Sequence, residues 1–211
     1  MINKEVVLCK RRNTLKKAIL IIIAVLAIDQ ISKIWIKTNF MLGEEIYVFD
    51  WFRIHFIENN GAAWGAEIGG KTGKLVLTLF RLCAIVGIGY WLRMSIQKKA
   101  HQLLVISVAL IFAGALGNII DSVFYGVIFD HSNYQIATLF SQETYGTIFH
   151  GKVVDMLYFP MWQGVLPSWI PKFGGNNFTF FNAIFNVADS AITIGVTILI
   201  IFGNRIFPKE V

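Results

Sequence analysis

Charge is scarce in this chain. Of its 211 residues, 15% are Asp, Glu, Lys or Arg, against about 25% in a soluble globular domain. With 55% hydrophobic residues and a mean hydropathy of +0.61, neither a disordered chain nor a hydrated globule fits. Cysteine is scarcer still. Cys9 and Cys83 are the only two, too few for a disulfide scaffold, a Cys-rich metal site or quinone-linked disulfide chemistry. Proline occurs four times, so the apolar excess is not a low-complexity tract. No His-Glu-x-x-His or Gly-x-Ser-x-Gly run is present, and His55, His101, His131 and His150 lack ligand spacing, which argues against motif-borne zinc or serine hydrolysis. Neither a metal nor a cofactor is expected. No repeat or linker marks a second domain, and 1–211 is read as a single membrane domain.

What the chain does have is apolar length. Four runs, at about 18–36, 75–92, 103–122 and 180–203, match the ~20 residues of a spanning helix. The net charge of +6 gathers at their flanks. Lys10, Arg11, Arg12, Lys16 and Lys17 precede the first run; Arg93, Lys98, Lys99 and His101 separate the second and third; Arg205 and Lys209 follow the fourth. Short basic flanks stay cytoplasmic, which puts both termini inside and makes this charge a topology signal rather than a nucleic-acid footprint. The first run is too long for a cleaved signal peptide. The expected fold is an all-α polytopic membrane protein of four transmembrane helices with two outer segments. In the first, 38–74, Phe52, Ile54 and Phe56 alternate with Trp51, Arg53 and His55 within 46–57. That is the period of a half-buried strand, and it runs toward an Asn60-Gly61 turn. The second, 123–179, holds Tyr158, Phe159, Trp162, Trp169, Phe173, Phe178 and three prolines, and is expected as an aromatic outer loop on the membrane surface.

Ionisable groups inside such runs cost ~2.5–3.5 kcal/mol each and point to function. Asp29 and Lys33 are four apart, Asn118 and Asp121 three apart, and Asn186 and Asp189 three apart, so each pair shares a helix face. With ~1.5 Å rise per residue, Asp29 falls ~18 Å beyond Lys17, Asp121 ~28 Å beyond Gln102 and Asp189 ~14 Å past Phe180. All three then lie toward the outer half of the bilayer, as one shared pocket requires. The same pairs would also serve as helix-packing glue. Asp155, in the outer segment, and Asp189 form a candidate dyad; Arg81 is expected to snorkel from the outer end of its helix.

Five blocks then resemble one family. They are Asp29-Gln30-Ile31-Ser32-Lys33; Asn59-Asn60-Gly61-Ala62-Ala63-Trp64-Gly65; Gly114-Ala115-Leu116-Gly117-Asn118-Ile119-Ile120-Asp121; Gly151-Lys152-Val153-Val154-Asp155; and Phe185-Asn186-Val187-Ala188-Asp189-Ser190-Ala191-Ile192. Their order and spacing over about 18–205 are similar to the lipoprotein signal peptidases (signal peptidase II), membrane-embedded aspartic proteases of bacteria. The resemblance implies that Asp155 and Asp189 are the catalytic pair. It implies that Asp29, Lys33, Asn59, Gly61, Ala62, Trp64, Gly114, Asn118, Asp121, Asn186 and Ala188 bind substrate or brace the pocket. It implies a prolipoprotein substrate carrying diacylglycerol on its lipobox cysteine, cleaved just before that cysteine. The enzyme would be a monomer among the lipids of the cytoplasmic (inner) membrane, with its site toward the periplasmic or outer leaflet and no nucleic-acid partner. Two departures stand out. Ser122 occupies the position where the family usually has Arg, leaving Arg81 or Lys152 to supply its charge, and both 123–149 and 156–179 are longer than usual.

Two carboxylates can hydrolyse a peptide when one is ionised to take a proton from water and the other, protonated, bonds the scissile carbonyl. Sequence position does not single out the base. The alternative from another class is a small proton-coupled transporter, which also uses intramembrane Asp, Lys and Asn. A transporter needs polar groups through the whole bilayer, whereas 192–202 offers only Thr193 and Thr197. A non-catalytic scaffold would tolerate loss of either Asp.

Overall fold

The computed structural model describes residues 4–60 and 70–207. Helix α1 is Lys4–Lys37, α2 is Gly70–Gln97 and α3 is Gln102–Ile120. A π-helical turn, Asp121–Tyr125, and the short α4, Gly126–Ile128, continue α3. Three segments, Arg11–Lys37, Thr72–Gln97 and Gln102–Ile128, are long and apolar enough to cross a membrane. Helix α5, Val187–Ile201, is apolar but shorter, 15 residues or ~22 Å. A final turn, α6, is Gly203–Ile206. Large apolar side chains such as Leu20, Ile31, Phe80, Val86 and Ile200 face outward from these helices, as expected of a multi-pass membrane protein.

The central helix is α3, which packs on α1, α2 and α5. Small residues let it do so. A Cβ on Gly114 would run into the Ala188 carbonyl oxygen, and one on Gly195 would stand 2.7 Å from that of Ser107; each obstacle is backbone and cannot swing away. Gly114→Ala is therefore expected to push α5 off α3 and to cost about 1–3 kcal/mol. Thermal unfolding in detergent micelles measures it; a wild-type midpoint would contradict so close a crossing.

Outside the helices, β1 (Glu45–Phe49), β2 (Phe52–Asn59), β3 (Val153–Tyr158) and β6 (Ile184–Phe185) form an antiparallel sheet in the order β1-β2-β3-β6. Strands β4 (Trp162–Val165) and β5 (Asn177–Phe180) make a separate hairpin that exposes Trp162, Trp169, Phe173 and Phe178. The single alternating run expected within 46–57 is in fact two strands around a turn at Asp50–Trp51. Its alternation is muted because residues on both faces are partly covered and only Phe56 is fully buried. Within the aromatic outer segment lie three further strands of the β architecture, β3 to β5, which its prolines and bulky rings did not announce.

The fourth helix also starts later than its hydropathy. Apolar residues run from Phe180, but β5 ends there and β6 follows, and the helix begins at Val187 because Asn186 caps it. The Asn186 side chain accepts from the Asp189 amide while the Asp189 carboxylate accepts from the Asn186 amide, a reciprocal capping box. Asp189 therefore sits in the first turn of α5, at the mouth of the bundle, and not ~14 Å down a helix.

Candidate active site

One face of α1 carries Asp29 and Lys33, both fully buried. The Lys33 Nζ lies 2.9 Å from Asp29 Oδ2, 2.7 Å from Asp121 Oδ2 and 2.9 Å from Asn118 Oδ1. Two carboxylates around one ammonium still leave lone pairs to satisfy, and a buried charge is tolerated only when they are. The Ala188 amide donates to Asp29 Oδ1 at 2.9 Å, the Gln30 amide group to Asp121 Oδ1 at 2.9 Å, and the Val154 amide to Asp121 Oδ2 at 3.4 Å. This cluster thus fastens α1, α3, α5 and β3 to one another. Gly117 makes room for it, since a Cβ there would stand 2.6 Å from Asp29 Oδ2.

Above this base stand Asp155 and Asp189. Asp155 is on β3, opposite Ile57 of β2, and is 2% exposed. The Asn186 Nδ2 donates to Asp155 Oδ1 at 2.7 Å and to Asn118 Oδ1 at 3.1 Å, while Asn118 Nδ2 donates to Asp189 Oδ1 at 2.7 Å. Asn59 Nδ2 approaches Asp155 Oδ2 at 3.4 Å. Both acidic groups thus touch the Asn186 residue, Asp155 through its side-chain amide and the Asp189 carboxylate through its backbone amide at 3.4 Å. Asp189 is half-buried, so the pair is reachable from one side. Burial pushes the Asp155 carboxyl up to about 7; the negative charge of Asp189 adds to this, while Asn59, Lys33 and Asn186 pull the other way. Arg81 of α2 lies within electrostatic reach of both carboxylates. Lys152 does not take that place, because its Nζ is held by Glu58 Oε2 at 2.9 Å.

Of the residues named from sequence, Asp29, Lys33, Asn59, Gly114, Asn118, Asp121, Asp155, Asn186, Ala188 and Asp189 come together here. Gly61, Ala62 and Trp64 lie outside the described residues. Ser122 turns its hydroxyl back to the Asn118 carbonyl at 2.9 Å. Sequence reasoning passed over Gln30, which donates to Asp29, Asp121 and the Gly117 carbonyl and accepts from the Tyr125 hydroxyl. It also passed over Lys37, one turn beyond Lys33, although the spacing Asp29, Lys33, Lys37 signals one continuous polar stripe.

Comparison with known proteins identifies the family. A family profile described as signal peptidase (SPase) II matches residues 21–204. The lipoprotein signal peptidase of Porphyromonas gingivalis is 50% identical over 183 residues, covering 86% of this chain and 80% of that one. The lipoprotein signal peptidase of Amoebophilus asiaticus is 35% identical over 185 residues, covering 85% and 75%. A bacterial membrane enzyme solved by the in meso method at 2.3 Å superposes with a TM-score of 0.57 at 29% identity, over 93% of this chain and 94% of that one. The chain belongs to the signal peptidase II family of membrane proteases.

Proposed function

We propose that the protein is an intramembrane aspartic endopeptidase that removes signal peptides from diacylglyceryl-modified prolipoproteins, cutting before the lipidated cysteine. The observation that carries this reading is the pairing of the Asp155 and Asp189 carboxyl groups across Asn186. The roles follow from the environments. Asp155, buried and neutral, donates to the scissile carbonyl oxygen. Asp189, half-buried, serves as the base and takes a proton from water as the water oxygen attacks the carbonyl carbon. When the tetrahedral adduct collapses, the C–N bond breaks, the amine receives the proton from Asp189, and Asp155 recovers its own. Asn118 and Asn186 hold the two carboxyl groups at fixed orientations, and the Asp29–Lys33–Asp121 cluster holds the helices beneath.

In this reading α5 is the fourth span, both termini are cytoplasmic, and the sheet and the site face the outer leaflet of the inner membrane. The basic flanks at 98–101 and beyond α5 support that orientation. The chain works as one membrane domain and as a monomer.

The pH dependence is fixed by the acid. Because Asp155 must keep its proton, kcat/KM is expected to fall about tenfold per unit once pH rises past about 7. A profile of initial rates at constant ionic strength measures this; a flat profile from pH 6 to 9 would remove Asp155 as the acid. The function itself is tested with purified protein in micelles and two forms of one prolipoprotein, with and without diacylglycerol. The modified form is expected to yield a product whose first residue is the lipidated cysteine. Cleavage elsewhere, or none of either form, would overturn the proposal.

A further inference from the structure

Residues 129–149, the long connection after α4, are fastened at many points. The Leu42 amide donates to the Ser132 carbonyl at 3.0 Å and the Ala137 amide to the Lys37 carbonyl at 3.2 Å, which ties the loop to the end of α1. The Tyr145 amide donates to Phe129 O at 3.0 Å and the Phe149 amide to Val123 O at 3.1 Å, which ties its return to the π-turn region. Phe129 and Ala137 are buried with Ile36, Phe40, Phe56, Tyr125, Val154 and Met156 in a core beneath the sheet.

Inside that core sits an ionic cluster separate from the one around Lys33. Lys37 is fully buried and pairs with Glu58 Oε1. Its Nζ also donates to Ser132 Oγ at 2.8 Å and stands 5.0 Å from the Tyr145 ring centre and 5.2 Å from that of Phe129. The Ser132 hydroxyl donates onward to the same Glu58 oxygen at 3.0 Å. Glu58 Oε2 accepts from Lys152 Nζ at 2.9 Å, and the Tyr145 hydroxyl accepts from the Lys152 backbone amide at 2.7 Å. Burial pushes Glu58 up, but Lys37 and then Lys152 outweigh it and hold the carboxylate below its ordinary range.

The two strands held in this way are those of the candidate site. Glu58 pairs in register with Val154, and its neighbour Asn59 reaches Asp155. Lys152 immediately precedes β3 and stands three residues before Asp155. Side chains alternate across a strand, so Glu58 and Val154 point to the buried core while Asp155 points to the opposite face.

We propose that Ser132 and Tyr145 are positioning residues for proteolysis: the connection 129–149 clamps the end of β2 and the start of β3 from behind, and so sets where Asp155 stands against Asp189. This rests on the reading of Asp155 and Asp189 as the dyad. Near-attack geometry is sensitive at the 1 Å level, which makes turnover rather than substrate affinity the quantity at stake.

The test compares wild type, the double variant Ser132→Ala/Tyr145→Phe, and the conservative Ser132→Thr. The double variant keeps the Tyr145 ring over the Lys37 ammonium and removes only two hydroxyls. Its kcat on a diacylglyceryl-modified peptide is expected to fall roughly tenfold or more, with KM changed less than about twofold, while Ser132→Thr keeps near-wild-type kcat. A readout independent of turnover is the 13C titration of the Asp155 carboxyl, which is faced by Asp189 from α5, Lys33 from α1 and Arg81 from α2. Its midpoint is expected to drop by at least about half a unit in the double variant as the strand loosens toward water. If kcat and the Asp155 midpoint both stay at wild-type values in a folded double variant, the clamp is refuted. Equal losses in Ser132→Thr and the double variant would also refute it, by pointing to simple destabilisation. If wild type does not cleave, the proteolytic reading fails, and the Asp155 midpoint alone decides the clamp.

Discussion

Asp155→Asn and Asp189→Asn are each expected to lower cleavage of a diacylglyceryl-modified prolipoprotein by at least about a thousandfold. Each removes one half of an acid–base pair: Asp155→Asn the proton donor, Asp189→Asn the proton acceptor. Each such transfer is worth ~10²–10⁴-fold by itself, and water is a poor nucleophile without a base. Both substitutions preserve size. In Asp155→Asn the new Oδ1 still accepts from Asn186, whose Nδ2 is the close donor at 2.7 Å. The fold should therefore survive, and the first variant should even gain stability in alkali. The sign follows from proton binding. A carboxyl whose folded pKa is raised to about 7 from the ordinary 3.8 binds more protons folded than unfolded between those values, so its contribution to stability falls as pH rises through that window. Above about pH 7 the charged, buried Asp155 opposes folding by an amount on the order of a few kcal/mol. Asn has no such penalty. Unfolding midpoints of wild type and Asp155→Asn should thus coincide near pH 4 and separate, with the variant higher, near pH 8. Residual cleavage above about one per cent in either variant would contradict the assignment of roles.

Removing Lys33 is expected to be more damaging to the fold than removing either of those acids. Its ammonium lies 2.9 Å from Asp29 and 2.7 Å from Asp121, with all three groups fully buried. Lys33→Met leaves two carboxylates facing each other without a cation, and breaking a buried pair in this way costs about 3–5 kcal/mol. The helices α1 and α3 lose their polar tie, and Asn118 loses a donor to its Oδ1. Activity should fall with stability, since Asn118 is also the residue that bonds Asp189. The triple variant Asp29→Asn/Lys33→Met/Asp121→Asn separates the causes: with no charge left uncompensated it should recover much of the lost stability. Chemical denaturation in micelles measures both proteins. A Lys33→Met protein within about 1 kcal/mol of wild type would show that the cluster is more wet, and less important to packing, than its burial indicates.

Much of the site was legible because lipid makes polar residues conspicuous. Asp29 with Lys33, Asn118 with Asp121 and Asn186 with Asp189 stood out against apolar runs, and helical spacing alone put each pair on one face. The structure brings all six together with Asp155. Three things were not legible. The start of α5 was masked because Phe180, Phe181, Ile184 and Phe185 are as apolar as the helix that follows; only the capping box Asn186–Asp189 marks the boundary, and capping signals are local where hydropathy windows are not. The strands β3 to β5 were hidden for a different reason. Their partners lie far away in sequence, as when Asn59 pairs with Val153, and exposed rings on β4 and β5 read equally well as an interfacial belt. The cluster of Lys37, Glu58, Ser132 and Lys152 was unreadable because four separate segments supply it: Lys37 continues the Asp29–Lys33 stripe, but nothing in the sequence marks Glu58, Ser132 or Lys152 as its partners.

The central claim is that Asp155 and Asp189 are coupled so that one proton serves both. Selective 13C labelling of aspartate, with Asp155 assigned by difference against Asp155→Asn, allows its carboxyl to be titrated directly in micelles. The account predicts a midpoint near 7 in the wild-type protein, falling by about a unit in Asp189→Asn, where the neighbouring negative charge is gone. An Asp155 that titrates near 4, and does so identically in both proteins, would contradict it.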